Sequence, residues 1–283
     1  MSIISISGRI NSGKDIVGKI IRILMVSSHF TDEAVEDFLK KDLYESGWKI
    51  KKFADKLKDI VCLLIGCTRE QLEDREFKEK ELGEEWNTIK YSIIDSDDAV
   101  LFSSFYKNDV ENELDYYNDY HHRTVEIIET KVNLTPRLLL QLLGTECGRE
   151  IIHPNIWCNS LMSEYKPSQL LVSKIRRKGS TISPQKLEES LPNWIITDTR
   201  FPNEIEAVKK RGGITIRVNR NFEGKWIDKQ EWDLHSKGII PHESETALDD
   251  STFDYEIDNN GTISELIDKI RNILIENKLI KNK

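Results

Sequence analysis

The sequence predicts an α/β fold with a mostly parallel central sheet and helices on both faces. Three observations carry that prediction. An apolar stretch, Ile3 to Ser7, runs into Gly8-Arg9-Ile10-Asn11-Ser12-Gly13-Lys14-Asp15 and then into a helical pattern from about Ile16. Short apolar runs alternate with helical runs up to Gly66 and again beyond Trp194. The chain closes on an amphipathic helix, Thr262 to Leu279, whose apolar positions are Ile263, Leu266, Ile267, Ile270, Ile273 and Leu274.

In order, Ile3 to Ser7 reads as a buried first strand and Lys14 to about Ser27 as the helix after the glycine loop. Thr31 to Glu45 reads as a second helix with Thr31 or Asp32 near its cap. Trp48 to Phe53 is the next strand, and Ala54 to about Gly66 a helix that ends on glycine. From Thr68 to Leu134 the pattern turns charged and aromatic, with acids at Asp95, Asp97, Asp98, Asp109, Glu111, Glu113 and Asp115, and much of it reads as insert. Helical signals return at Thr135-Pro136-Arg137, with Thr at the cap and Pro in the first turn, followed by Leu138, Leu139, Leu142 and Leu143. Another helix is expected from Asn155 to Tyr165. Lys166 to Pro192, with its basic cluster Lys174, Arg176, Arg177 and Lys178, reads as a mobile loop, either a lid or a solvated surface segment. Trp194 to Thr197 is a strand ending in Asp198, Pro202 to Arg211 a helix stopped by Gly212-Gly213, and Ile214 to Val218 and Asp254 to Ile257 are further strands. The expectation is one domain over 1–283 with inserts at about 91–133 and 166–192, and with ligands at the carboxyl ends of the strands.

A chain of 283 residues, 38% hydrophobic, can bury the core of such a domain. Its net charge of −8 gives no general attraction to nucleic acid, so a polyanion would need a local basic patch. Small phosphorylated ligands stay compatible with that charge. Cys62, Cys67, Cys147 and Cys158 form no CxxC pair and have no His at a zinc spacing, the pattern of reduced thiols in an intracellular protein. Met1 to Ile10 lacks the features of a signal peptide, and Ile60 to Cys67 is too short to span a bilayer. A soluble cytoplasmic protein without membrane partners is expected.

The glycine segment follows GxxxxGK[ST] except at its last position. In such a loop consecutive backbone N–H groups surround a phosphate, the helix N-terminus adds positive charge, and the lysine reaches the outer oxygens. Asp15 stands where a hydroxyl normally meets Mg²⁺, and a carboxylate there can hold the metal directly or through water. No guanine-reading NKxD motif is present, so a small-molecule kinase fits better than a GTPase. Such an enzyme needs cations around two phosphorylated substrates, for which Arg137, Arg149 and Arg200 are candidates. Arg137 and Gln141 share a helical face, with a break expected at Gly144-Thr145; they read as a phosphate clamp with a base-reading amide, or as a surface pair over a leucine face. Asp198 at a strand end can hold Mg²⁺ through water beside Arg200, or simply cap the next helix. His242-Glu243-Ser244-Glu245 reads as polar contacts beside the site or as a capped turn. His121 and His122 are adjacent and point apart, which excludes a shared metal.

These segments, in this order, resemble the phage-type deoxynucleoside monophosphate kinases, a branch of the P-loop kinases. The resemblance rests on SGRINSGKD from Ser7, FADKLKD from Phe53, EDREFKE from Glu73, RLLLQLLGTECGREIIHPNIW from Arg137, TDTRFPNEIEAVKKRGG from Thr197, HESE from His242 and DNNGTISEL from Asp258. It implies the three-layer P-loop kinase fold and transfer of the ATP γ-phosphate to a deoxynucleoside monophosphate (dNMP), giving the diphosphate and ADP. It implies ATP and Mg²⁺ at Gly8, Asn11, Ser12, Gly13, Lys14 and Asp15, with Asp198 as a second carboxylate for the metal. By motif position, Arg75, Arg137, Gln141, Gly144, Thr145, Trp157, Asp198, Arg200 and Glu204 contact or orient the acceptor, with Lys58 and Lys78 as lesser candidates. Lys14, Arg137, Arg149, Asp198 and Arg200 then form the catalytic set. Ile10 and Asn11 occupy positions that can be basic in relatives, so one phosphate contact is either absent or supplied by Arg9. Glu146 stands where a shorter acid can occur, which bears on base preference. The resemblance also allows a homodimer and, for a phage-encoded chain, places it in the host cytoplasm. Two other readings stay open: a different small-molecule P-loop kinase, and a non-catalytic ATP-binding switch.

Overall fold

A computed structural model describes residues 3–41, 46–95, 100–121, 125–171, 187–220 and 243–281. These fall into two compact units, one from segments within Met1–Lys56, His153–Glu231 and Pro241–Lys283, the other from Leu57–Ile152.

The first unit is built on five strands, β1 (Ile3–Ser7), β2 (Trp48–Lys51), β8 (Asn193–Thr199), β9 (Ile214–Asn219) and β10 (Tyr255–Asp258). They are all parallel, in the order β10-β9-β1-β8-β2. β1 is buried at every residue because it sits in the middle with both faces covered. Its alternation divides the core. Ile4 and Ile6 face α1 (Lys14–Leu24) and α11 (Ile263–Glu276), where Val17, Ile20, Ile21, Leu266, Ile267, Ile270 and Leu274 join one cluster. Ile3 joins the other cluster with Trp194, Ile196 and Val208, and with Cys158, Leu161 and Met162 of α8 (Ile156–Met162). Val208 lies on α9 (Pro202–Lys209). Helices thus cover both faces, the three layers expected. Strand order reverses direction around β1, so the loop that follows β1 opens at a sheet crevice.

Helix limits follow from identifiable caps. Thr31 Oγ1 accepts the Ala34 N–H at 3.3 Å, so the second expected helix begins as α2 (Asp32–Lys41); its expected end, 42–45, lies outside the described residues. Thr262 and Glu265 form a reciprocal capping box that starts α11. The expected loop at 166–192 is bounded by an antiparallel pair, β6 (Ser168–Leu171) with β7 (Leu187–Ser190), while its basic cluster lies outside the described residues.

The second unit holds a three-stranded antiparallel sheet in the order β4-β3-β5, with β3 (Thr88–Asp95), β4 (Val100–Ser104) and β5 (Val125–Val132). The helix α6 (Lys107–His121) packs on this sheet. The same unit carries most of α3 (Asp55–Ile65), with α4 (Arg69–Glu73), α5 (Arg75–Glu79) and α7 (Pro136–Leu142). Thr135 Oγ1 caps α7 by accepting the Leu138 N–H at 3.2 Å, as its Thr-Pro start predicts. The break expected at Gly144-Thr145 does not occur. The helix continues instead as a π-helix, Leu143–Ile152. A Cβ on Gly144 would lie 2.9 Å from Leu57 Cδ2, so this glycine answers to close packing against α3 rather than to a helix end.

Ile21 is fully buried between α1 and the sheet, so Ile21→Ala should lower unfolding free energy by about 2–5 kcal/mol, read as a shifted denaturant midpoint.

Candidate active site

The loop after β1 is closely packed where it begins, at Gly8. A Cβ on Gly8 would lie 2.3 Å from Ser12 Oγ and 2.7 Å from the Val218 carbonyl. Asn11 (φ 63°) and Gly13 (φ 94°) are left-handed, a conformation that asparagine and glycine accept. Asn259, just past β10, donates from Nδ2 to the Ser12 carbonyl at 2.8 Å and fastens the loop from the far edge of the sheet. Ser12 Oγ is buried with no hydrogen-bond partner among the described residues, the condition of a polar atom that a ligand completes. Arg9 leans outward and pairs with Asp249 at 3.2 Å; Asp249 in turn holds Arg217 at 3.1 Å.

Lys14 opens α1 and donates from Nζ to the Arg9 carbonyl at 3.2 Å. Burial and the Arg200 guanidinium push its pKa below the ordinary 10.5, against the pull of Asp15, Glu245 and Asp198. A partly desolvated ammonium therefore stands beside a second cation, and a bound polyanion would relieve its burial. Arg200 is held by the Glu245 carboxylate and by the Ser244 carbonyl, the latter at 3.3 Å, both on the short helix α10 (Glu243–Thr246). Its backbone N–H donates to Glu204 Oε2 at 2.7 Å, and the Phe201 N–H donates to the same oxygen at 3.2 Å.

Asp15 accepts from Thr197 Oγ1 at 3.0 Å and pairs with Lys52 at 3.3 Å. Burial works to raise its pKa, but Lys52, Thr197 and Lys14 together hold it below 3.8, so it is a carboxylate at neutral pH. Asp198 has a different task. Its Oδ1 accepts the Phe53 N–H at 2.7 Å and its Oδ2 the Ala54 N–H at 3.0 Å, fixing the turn between β2 and α3 to the end of β8. It does not cap the following helix; Glu204 performs that capping from inside α9.

The ionised Asp15 and the unpartnered Ser12 hydroxyl are hard oxygen donors of the kind Mg²⁺ takes. Among the described residues no three carboxylates, imidazoles or thiols assemble into a metal cage, so a cation here takes its remaining ligands from water and phosphate. Both oxygens of Asp198 are engaged by backbone N–H groups, so its carboxylate serves the turn before α3.

The structure thus gathers Gly8, Asn11, Ser12, Gly13, Lys14, Asp15, Asp198 and Arg200 within the first unit. Two residues expected to meet the acceptor are buried there: Glu204, 2% exposed, acts by fixing the Arg200 backbone, and Trp157 lies in α8, 7% exposed. Arg75, Arg137, Gln141, Gly144, Thr145 and Arg149 belong to the second unit. There Arg75 is exposed at the start of α5, Arg137 Nε pairs with Glu79, Gln141 and Arg149 are half-buried, and Thr145 is buried. Lys58 and Lys78 both pair with Glu73, at 2.6 and 4.0 Å. Glu146 lines a cavity of about 1140 Å³ with Tyr91, Phe102, Tyr106 and Cys147; none of the predicted acceptor residues lines it. His242 and the side chains of His121 and His122 lie outside the described residues.

Lys52, Thr197 and Asn259 escaped sequence reading. Thr197 meets Asp15 across 182 positions, and no local spacing encodes such a pairing. Each lies within or beside a segment singled out for other reasons, which was the available signal.

A glycine loop between a central parallel strand and its helix, with a partly buried lysine beside an arginine, is the arrangement of a P-loop kinase fold. No helix among the described residues is long and apolar enough to cross a membrane. A family model described as deoxynucleotide monophosphate kinase matches residues 2–270, and the chain belongs to that family. It is 25% identical over 219 residues to the deoxynucleoside-5'-monophosphate kinase of Escherichia phage T5, covering 74% of this chain and 72% of that protein.

Because the folded pKa of Lys14 lies below its unfolded value, the folded state resists the charged form. Stability should therefore rise with pH through the window between the lowered pKa and 10.5. Lys14→Met should raise the thermal midpoint at neutral pH and flatten that rise, as followed by calorimetry across pH.

Proposed function

We propose that the enzyme transfers the γ-phosphoryl group of ATP to the 5′-phosphate of a deoxynucleoside monophosphate, with Mg²⁺ as its cofactor. The observation that carries this reading is the partly buried Lys14 beside Arg200 at a phosphate loop, in a chain of the deoxynucleotide monophosphate kinase family. The family match runs through both units, which supports a single kinase domain over 1–283 with inserts at about 91–133 and 166–192. Net charge −8 supports small phosphorylated substrates over nucleic acid, and a cytoplasmic setting supplies them.

In this reading the backbone N–H groups from Gly8 to Asp15 cradle the donor phosphates, and Lys14 gives up the Arg9 carbonyl to reach the β and γ oxygens. Asp15, with the Ser12 hydroxyl, would hold Mg²⁺; when bound, the ion neutralises phosphate oxygens during transfer. Arg200 stabilises charge on the transferring group, and Glu204 and Glu245 keep it in place. Arg75, Arg137 and Arg149 neutralise the acceptor phosphate, and Gln141 and Thr145 offer polar atoms to the rest of the nucleotide. The acceptor oxygen is already ionised, so attack is direct and in line and needs no strong general base.

A panel of nucleoside monophosphates with ATP and Mg²⁺, products identified by mass, should yield deoxynucleoside diphosphates and ADP; release of ADP that ignores every acceptor would defeat the proposal. Lys14→Ala should remove most transfer while the circular-dichroism spectrum stays native. Arg137→Ala should raise the acceptor KM roughly ten- to hundred-fold, the worth of a charge-assisted hydrogen bond. The KM for ATP should stay near its starting value, and equal effects on both would contradict the placement of Arg137.

A further inference from the structure

We propose that Cys62 and Cys67 are a modification site, a dithiol that small-molecule disulfides oxidise to an intramolecular disulfide. The inference rests on the C-terminal end of α3 and is independent of the kinase reading. Gly66 is left-handed (φ 68°), and the Cys67 N–H reaches back to the Cys62 carbonyl at 3.1 Å. That six-to-one bond folds the residue after the glycine over the last turn, where its side chain meets the one it now covers. At helix ends of this kind the pair that meets is frequently apolar. Here it is two thiols, with Sγ atoms 3.8 Å apart.

A backbone folded back in this way brings the two side chains together at the helix end, with their sulfurs 3.8 Å apart. A disulfide needs those sulfurs to close to about 2.0 Å, a shift of roughly 1.8 Å from where they stand. Both cysteines are half-buried, so reagents reach them, and the neighbouring Leu63 is 84% exposed. The other two thiols lack this arrangement. Cys147 lies against the Tyr106 hydroxyl at 3.8 Å, and Cys158 is buried in the core of the first unit.

The chemistry balances with a disulfide oxidant such as oxidised glutathione. One cysteine, as thiolate, attacks a sulfur of the oxidant and expels the first glutathione thiolate, giving a mixed disulfide. The second cysteine, also as thiolate, attacks the protein sulfur of that mixed disulfide and expels the second. Two electrons pass to the oxidant, and the two protons lost by the cysteines end on the two glutathiones. Burial, with the Cys67 thiol beside it, pushes the Cys62 thiol up, so closure should accelerate as pH rises.

The test incubates the full-length protein with oxidised glutathione and follows intact mass and free thiols. The expected result is loss of two hydrogens without a retained adduct, free thiols falling from four to two, and a peptide map joining Cys62 to Cys67. Cys147→Ser should behave the same way with one thiol fewer. Cys62→Ser and Cys67→Ser, which leave the helix-ending backbone bond intact, should each stop at a glutathione adduct on the remaining sulfur of the pair. A wild-type chain that stops at the adduct, or keeps all four thiols, would overturn the proposal. So would a two-hydrogen loss that persists in both serine variants.

Discussion

The site depends on one imbalance: a partly buried lysine ammonium beside a guanidinium. Lys14 has three carboxylates within electrostatic reach, yet burial and Arg200 outweigh them. A protein optimised for stability alone would place an apolar side chain at that position. The unfavourable field is relieved when an anion with several oxygens enters, and a triphosphate tail has that chemistry. Binding and stability are set against each other at the same atom.

The rest of the first unit preserves this arrangement. The parallel sheet brings the carboxyl ends of β1, β8 and β10 to one edge, and each end contributes one part: the loop, the Thr197-Asp198 pair with Arg200 just beyond, and Asn259. Asp198 binds the turn before α3, Glu204 binds the Arg200 backbone, and Glu245 binds its guanidinium. These acids are not spare charges awaiting a metal. Glu204 and Glu245 hold Arg200 in place and Asp198 fixes the neighbouring turn, so that little reorganisation is needed when phosphate arrives, the condition under which electrostatic stabilisation is strongest. Asp15 differs, being ionised and exposed enough to meet a cation.

Much of this was legible in the amino-acid order. Ile3–Ser7 reads as a buried strand because isoleucines face both ways, Ile3 to one side and Ile4 and Ile6 to the other, and Thr135-Pro136 and Thr262 start helices through local capping that sequence states directly. Gly8, Gly13 and Lys14 were readable because a phosphate loop is local. What was not readable depends on distant partners. Gly144 looks like a helix end until Leu57 is seen against it. Glu204 looks like a substrate contact, but its carboxylate turns back onto the N–H groups that begin its own helix. The sheet of β3 to β5 hid within a charged, aromatic stretch because its strands alternate imperfectly, Ile93 and Ile94 both being buried.

The most direct test of the central claim is a titration of the Lys14 side chain by heteronuclear NMR, first in the free protein and then with ATP. The account predicts a pKa below 10.5 in the free protein that rises when nucleotide binds, as an anion relieves the pressure of burial and Arg200. A free value at or above 10.5, or one that nucleotide leaves unmoved, would contradict it.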